Sequence, residues 1–110
     1  MRPLSFETDE TVTLRYQLRE DGAARDITGM MFRFAAKERH TDTSYRIGPL
    51  DGDIEDAEDG RFSITLKMPQ EPFAGLYSVV MVDATGSRTV LTRPGGTAIR
   101  VLESLMGPEG

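Results

Sequence analysis

The chain has 110 residues, a hydrophobic fraction of 38%, a net charge of −5 and no cysteine. That length fits one domain with its own core. Structural disulfides, cysteine-ligated zinc and thiol catalysis are excluded. An acidic chain whose basic residues are scattered is a poor match for nucleic acid, and no run approaches the roughly 20 apolar residues of a membrane span.

Residues 1–10 are polar apart from Leu4 and Phe6, which suits an N-terminal arm or a short edge strand. Met1 to Glu7 has no apolar stretch of the secretory kind, so the expectation is synthesis and folding in a reducing cytoplasm. The first clear strand is Thr11 to Leu18, where Val12, Leu14, Tyr16 and Leu18 alternate with polar neighbours. A period of two places one set of side chains against a core and the other in water. Asp21-Gly22 marks a turn. Met30 to Ala36 is the second strand, with Met30, Phe32, Phe34 and Ala36 on one face, and a helical turn or two is expected around Ala35 to Arg39.

Ser44 to Leu50 is a weaker strand that Pro49 assigns to a sheet edge. The acidic loop Asp51 to Asp59 follows, with Ile54 inside it expected to anchor a short strand or bend. Arg61 to Met68 alternates cleanly and stops at Pro69, after which Pro72-Phe73 suggests a crossing between sheets. Leu76 to Asp83 contains Val79-Val80-Met81-Val82 and fits a central strand covered on both faces. Ala84 to Ser87 forms a hairpin turn, Arg88 to Arg93 returns antiparallel, Pro94-Gly95-Gly96 breaks the run, and Thr97 to Glu103 is the last strand. Ser104 to Gly110 reads as a flexible or partner-bound tail. The expected fold is all-β, an immunoglobulin-like two-sheet antiparallel β-sandwich of seven to eight strands over residues 11–103.

Sites are harder to find. The acidic loop holds six carboxylates, but it lacks the glycine and the closing glutamate of the twelve-residue calcium loop. A solvated turn is the better reading, with calcium the lesser alternative. His40 is the only histidine, has no cysteine near it, and reads as a surface residue. No Gly-x-Ser-x-Gly elbow presents a nucleophile, and no Gly-Lys-Ser or Gly-Lys-Thr follows Pro94-Gly95-Gly96. Tryptophan is absent, which weakens glycoside hydrolysis and sugar platforms alike. No catalytic, cofactor-binding or metal-ligating residue is assigned, and no cofactor is expected. Tyr77, two residues before Val79, suits the corner tyrosine of an immunoglobulin-like sandwich, whose hydroxyl bonds back to the loop below.

Asp26-Ile27-Thr28-Gly29 leads into Phe32-Arg33-Phe34; Asp59-Gly60-Arg61-Phe62-Ser63-Ile64, Gly75-Leu76-Tyr77 and Ile99-Arg100-Val101 follow in order. Over residues 11–102 this resembles the N-terminal immunoglobulin-like domains of tailed-bacteriophage baseplate upper proteins and related small phage tail proteins. The resemblance implies a non-enzymatic structural component of a bacteriophage virion, in the tail, baseplate or capsid-surface layer, made in the host cytoplasm. Its partners would be other virion proteins or further copies of itself. The alternative is a receptor- or glycan-binding adhesin module, which Tyr45 or Phe73 turned outward would favour.

Overall fold

The computed structural model describes residues 1–93 and 95–103; Pro94 and the expected tail, 104–110, lie outside the described residues. Eleven strands and no helix are present among the described residues: β1 (Leu4–Glu7), β2 (Thr11–Gln17), β3 (Arg19–Glu20), β4 (Ala23–Ala24), β5 (Met31–Lys37), β6 (Ile47–Asp51), β7 (Asp53–Asp56), β8 (Arg61–Lys67), β9 (Phe73–Val82), β10 (Arg88–Val90) and β11 (Thr97–Leu102). The larger sheet runs β1-β11-β9-β5-β6, with β10 also paired to β9. The smaller sheet runs β2-β8-β7, and β3-β4 is a separate hairpin. The chain is all-β, in an arrangement compatible with a β-sandwich.

Alternation in the sequence becomes alternation in burial. Phe32, Phe34 and Ala36 of β5, Phe62, Ile64 and Leu66 of β8, and Tyr77, Val79 and Met81 of β9 are buried together in one core. Phe62 stacks on Phe32 with ring centroids 3.8 Å apart and planes within 9°. Leu14, Tyr16 and Leu18 are only half-buried, because β2 is an edge strand with a single neighbour, β8. The Pro72-Phe73 segment does carry the chain from the smaller sheet (β8) to the larger (β9), and β9 is central there between β5 and β11.

Three expectations are corrected. No helix forms at Ala35 to Arg39: Ala35, Ala36 and Lys37 pair with Ser78, Tyr77 and Leu76 of β9, and those ladder bonds override the local propensity of Ala-Ala-Lys. The acidic segment is not one solvated loop: Asp51 ends β6, Gly52 donates its N–H to the Phe32 carbonyl at 2.8 Å, and Asp53 to Asp56 form β7 in the other sheet. The short strand expected at Ile54 is present as β7, paired to β8, with Ile54 itself 40% exposed on that edge strand. The pairing is not wholly antiparallel, since β1 lies parallel to β11, with Leu4 opposite Ile99 and Phe6 opposite Val101. The Thr8 N–H continues this contact to the Leu102 carbonyl at 2.8 Å.

Two turns share one device. Asp26 accepts hydrogen bonds from the hydroxyl and N–H of Thr28, and Asp83 accepts them from the hydroxyl and N–H of Thr85 and the N–H of Ser87. The Thr28 hydroxyl holds the Asp26 carboxyl below the usual carboxylate range, and the Thr85 hydroxyl, then the Ser87 N–H, do the same for Asp83. A depressed carboxylate pKa gives stability that is present above the unfolded value, about 3.9, and is lost as pH falls through the folded one. Acid titration of Asp26→Asn and Asp83→Asn followed by circular dichroism is therefore expected to give a shallower loss of stability below about pH 4 than in the native chain.

Candidate functional site

The outward residues of β5 and β9 face each other as Met31–Val82, Arg33–Val80, Ala35–Ser78 and Lys37–Leu76. Strand β10 extends two of these rows, setting Arg88 beside Val82 and Val90 beside Val80. From Val90 to Thr97 the chain advances seven residues while its partner, from Val80 to Tyr77, advances three, so β10 and β11 do not run on as one continuous strand along β9. Gly95 and Gly96 at this break wall one side of a shallow concavity of about 820 Å³.

Its floor is apolar, formed by Leu76, Val80 and Val82 with Met31 and Val90, the last two 54% and 51% exposed. This corrects the expectation that β9 would be covered on both faces: the inner face is, and the outer face is open. The apolar signal was present in Val79-Val80-Met81-Val82, but composition does not say which element, if any, covers a strand.

Cations ring the floor. Arg33 is held by Asp51 at 3.1 Å, and Lys37 Nζ lies 4.8 Å from the centre of the Tyr45 ring. Arg88 has no ion-pair partner among the described residues, and His40 is exposed on the same rim, as a surface histidine should be. Tyr45 is 46% exposed, whereas Phe73 turns inward at 7% beneath the Arg46 guanidinium. Of the two aromatics that would mark a sugar platform, one is outward, and its ring already faces Lys37.

The acidic carboxylates do not converge. Asp51 pairs with Arg33, Glu55 with Arg15 at 3.5 Å, and Asp59 with Arg61, while Asp56 accepts the Asp59 N–H. Among the described residues no three His, Asp or Glu side chains are grouped as metal ligands.

A second, smaller cavity of about 260 Å³ lies where β1 and β2 approach, lined by Arg2, Tyr16 and Tyr77 among others. The Tyr77 hydroxyl donates to the Arg2 carbonyl at 2.6 Å, so this tyrosine fastens the N-terminal strand 75 residues upstream rather than the loop below it. Burial, helped by neighbouring Tyr16 and opposed by Arg2, pushes its pKa up to about 12; burial also raises that of Tyr16. Both phenols stay protonated at neutral pH, which suits a structural bond and not a base or nucleophile. Tyr77→Phe is expected to cost about 1 kcal/mol in urea denaturation and to speed amide exchange at Leu4 to Glu7. A raised tyrosine pKa gives stability that is complete below about pH 10 and lost toward pH 12, so the variant's decline over that interval should be shallower.

No family model matches this chain, and no curated protein matches it.

Proposed function

We propose that the chain is a non-enzymatic structural component of a bacteriophage virion, an immunoglobulin-like sandwich that docks onto neighbouring virion proteins. The observation that carries the docking role is the open outer face of β5, β9 and β10, where Met31, Val80, Val82 and Val90 of a central region are left facing solvent. Contiguous apolar surface rimmed by polar groups is what protein contacts use. The virion context comes from the resemblance carried by Asp26-Ile27-Thr28-Gly29, Phe32-Arg33-Phe34 and Gly75-Leu76-Tyr77. Many copies in a symmetric particle would turn a modest contact into firm attachment.

An antibody raised against the purified chain should label purified phage particles from the producing culture at regular positions in immunogold electron microscopy. Particles without label, with the chain confined to the soluble fraction, would refute the reading. The adhesin alternative is favoured by the outward ring of Tyr45. A glycan array decides it: saturable binding lost in Tyr45→Ala would replace the scaffold role.

A further inference from the structure

We infer that the concave outer face of the larger sheet docks an acidic segment of a neighbouring protein, one that carries apolar side chains along the surface it presents. This rests on the docking role proposed above and names the chemistry of the partner.

Charge segregation is the first argument. The chain carries eighteen Asp and Glu against thirteen Lys and Arg, yet among the described residues none that lines the concavity is acidic. Arg33, Lys37 and Arg88 all do line it. Random placement of acids would give about three among eighteen lining residues, so the outer face is a positive patch on a negative molecule. Such a patch attracts an anionic partner, and it would repel the same patch of a second copy set face to face with it.

The disposition of those cations is the second argument. Arg33 is already neutralised by Asp51 at 3.1 Å, whereas Arg88 has no acidic partner among the described residues and Lys37 has only the Tyr45 ring. Lys37 stands beside Leu76 and Arg88 beside Val82, at opposite ends of the paired rows. From Leu76 to Val82 is six residues along the strand, roughly 20 Å. Two cations without a carboxylate partner among the described residues, so far apart and with Val80 between them, suit carboxylates at both ends of a segment whose middle is apolar. A compact dianion could not reach both, and an uncharged hydrophobic helix would leave both cations desolvated without a counter-ion.

The test is a selection on the immobilised native chain from a random library of peptides about 15 residues long, enough to cross the face in helical or extended form. The same selection is run on Lys37→Glu/Arg88→Glu and on Arg88→Glu alone, each first shown by circular dichroism to be folded. Enriched native binders should be net acidic with clustered apolar residues, weaken about tenfold or more on the double variant, and weaken further in high salt. Neutral or basic winners, or the same winners on native and reversed proteins, would overturn the proposal. So would a dimer seen by light scattering that Val82→Asp dissolves, since the occupant would then be a second copy. Failure here alongside positive immunogold labelling removes the acidic partner and keeps the virion role; absence of label with acidic winners does the reverse.

Discussion

Phe62→Ala is expected to destabilise the chain by about 4 kcal/mol and lower its melting temperature by roughly 20 °C, measured by urea and thermal denaturation. Phe62 is fully buried in β8, stacks on Phe32 across the two sheets at 3.8 Å and has the Tyr16 ring 5.3 Å away. Truncation removes the aromatic contact and opens a void where backbone on both sides is fixed by ladder bonds and cannot collapse inward. A domain of this size has only about 5–15 kcal/mol in total, so a substantial part of its stability rests on this ring. Tyr45→Ala, at a half-exposed ring, is the matching control and should cost under about 1 kcal/mol. Equal losses in the two variants would mean the sheets are not joined through Phe62.

Gly75→Ala should be nearly as damaging, at about 3 kcal/mol, although it adds one carbon. A Cβ at Gly75 would lie 2.1 Å from the Lys37 carbonyl oxygen and 2.9 Å from Glu38 Cα. Both obstacles are backbone, so relief requires moving the end of β5 or parting β9 from β11 beside Ile99. Gly86→Ala separates this clash from conformational cost. Gly86 has φ of +88° with nothing within 4 Å of the added carbon, and should lose only about 1 kcal/mol, the cost of left-handed backbone. Reversal of that order in denaturant midpoints would show that β5 is free to move at Lys37.

Strands with one wet and one dry face were legible from residue order. Phe62, Ile64, Leu66 and Met68 alternate with polar neighbours and all four are buried. The Ala84 to Ser87 turn was legible too, and the Asp83 N–H donates to the Ser87 carbonyl at 3.0 Å. Strand β7 was legible only as a short strand or bend at Ile54; its bounds and partner were not, because Asp53-Ile54-Glu55-Asp56 has four exposed side chains and takes its place from β8 alone. The partner of β1 was hidden for a different reason: Leu4 and Ile99 are brought together by the fold, and four residues carry too little pattern to fix direction. The Tyr77 position was read correctly as structural, but its bond to Arg2 spans 75 residues and has no local signature. The concave face was half visible, as apolar residues at outward positions of Leu76 to Val82; its openness depends on the β10–β11 break, which only three-dimensional pairing reveals.

The parallel union of β1 with β11 has a mechanical meaning. Because the two strands point the same way, pulling Leu4 and Leu102 apart along the strand axis drags them past each other lengthwise. The hydrogen bonds spanning all four register pairs then resist simultaneously, in shear, instead of opening one after another like a zipper. A module anchored through those two positions would yield late under tension, a property of use to any part of a machine that is stretched or compressed in service.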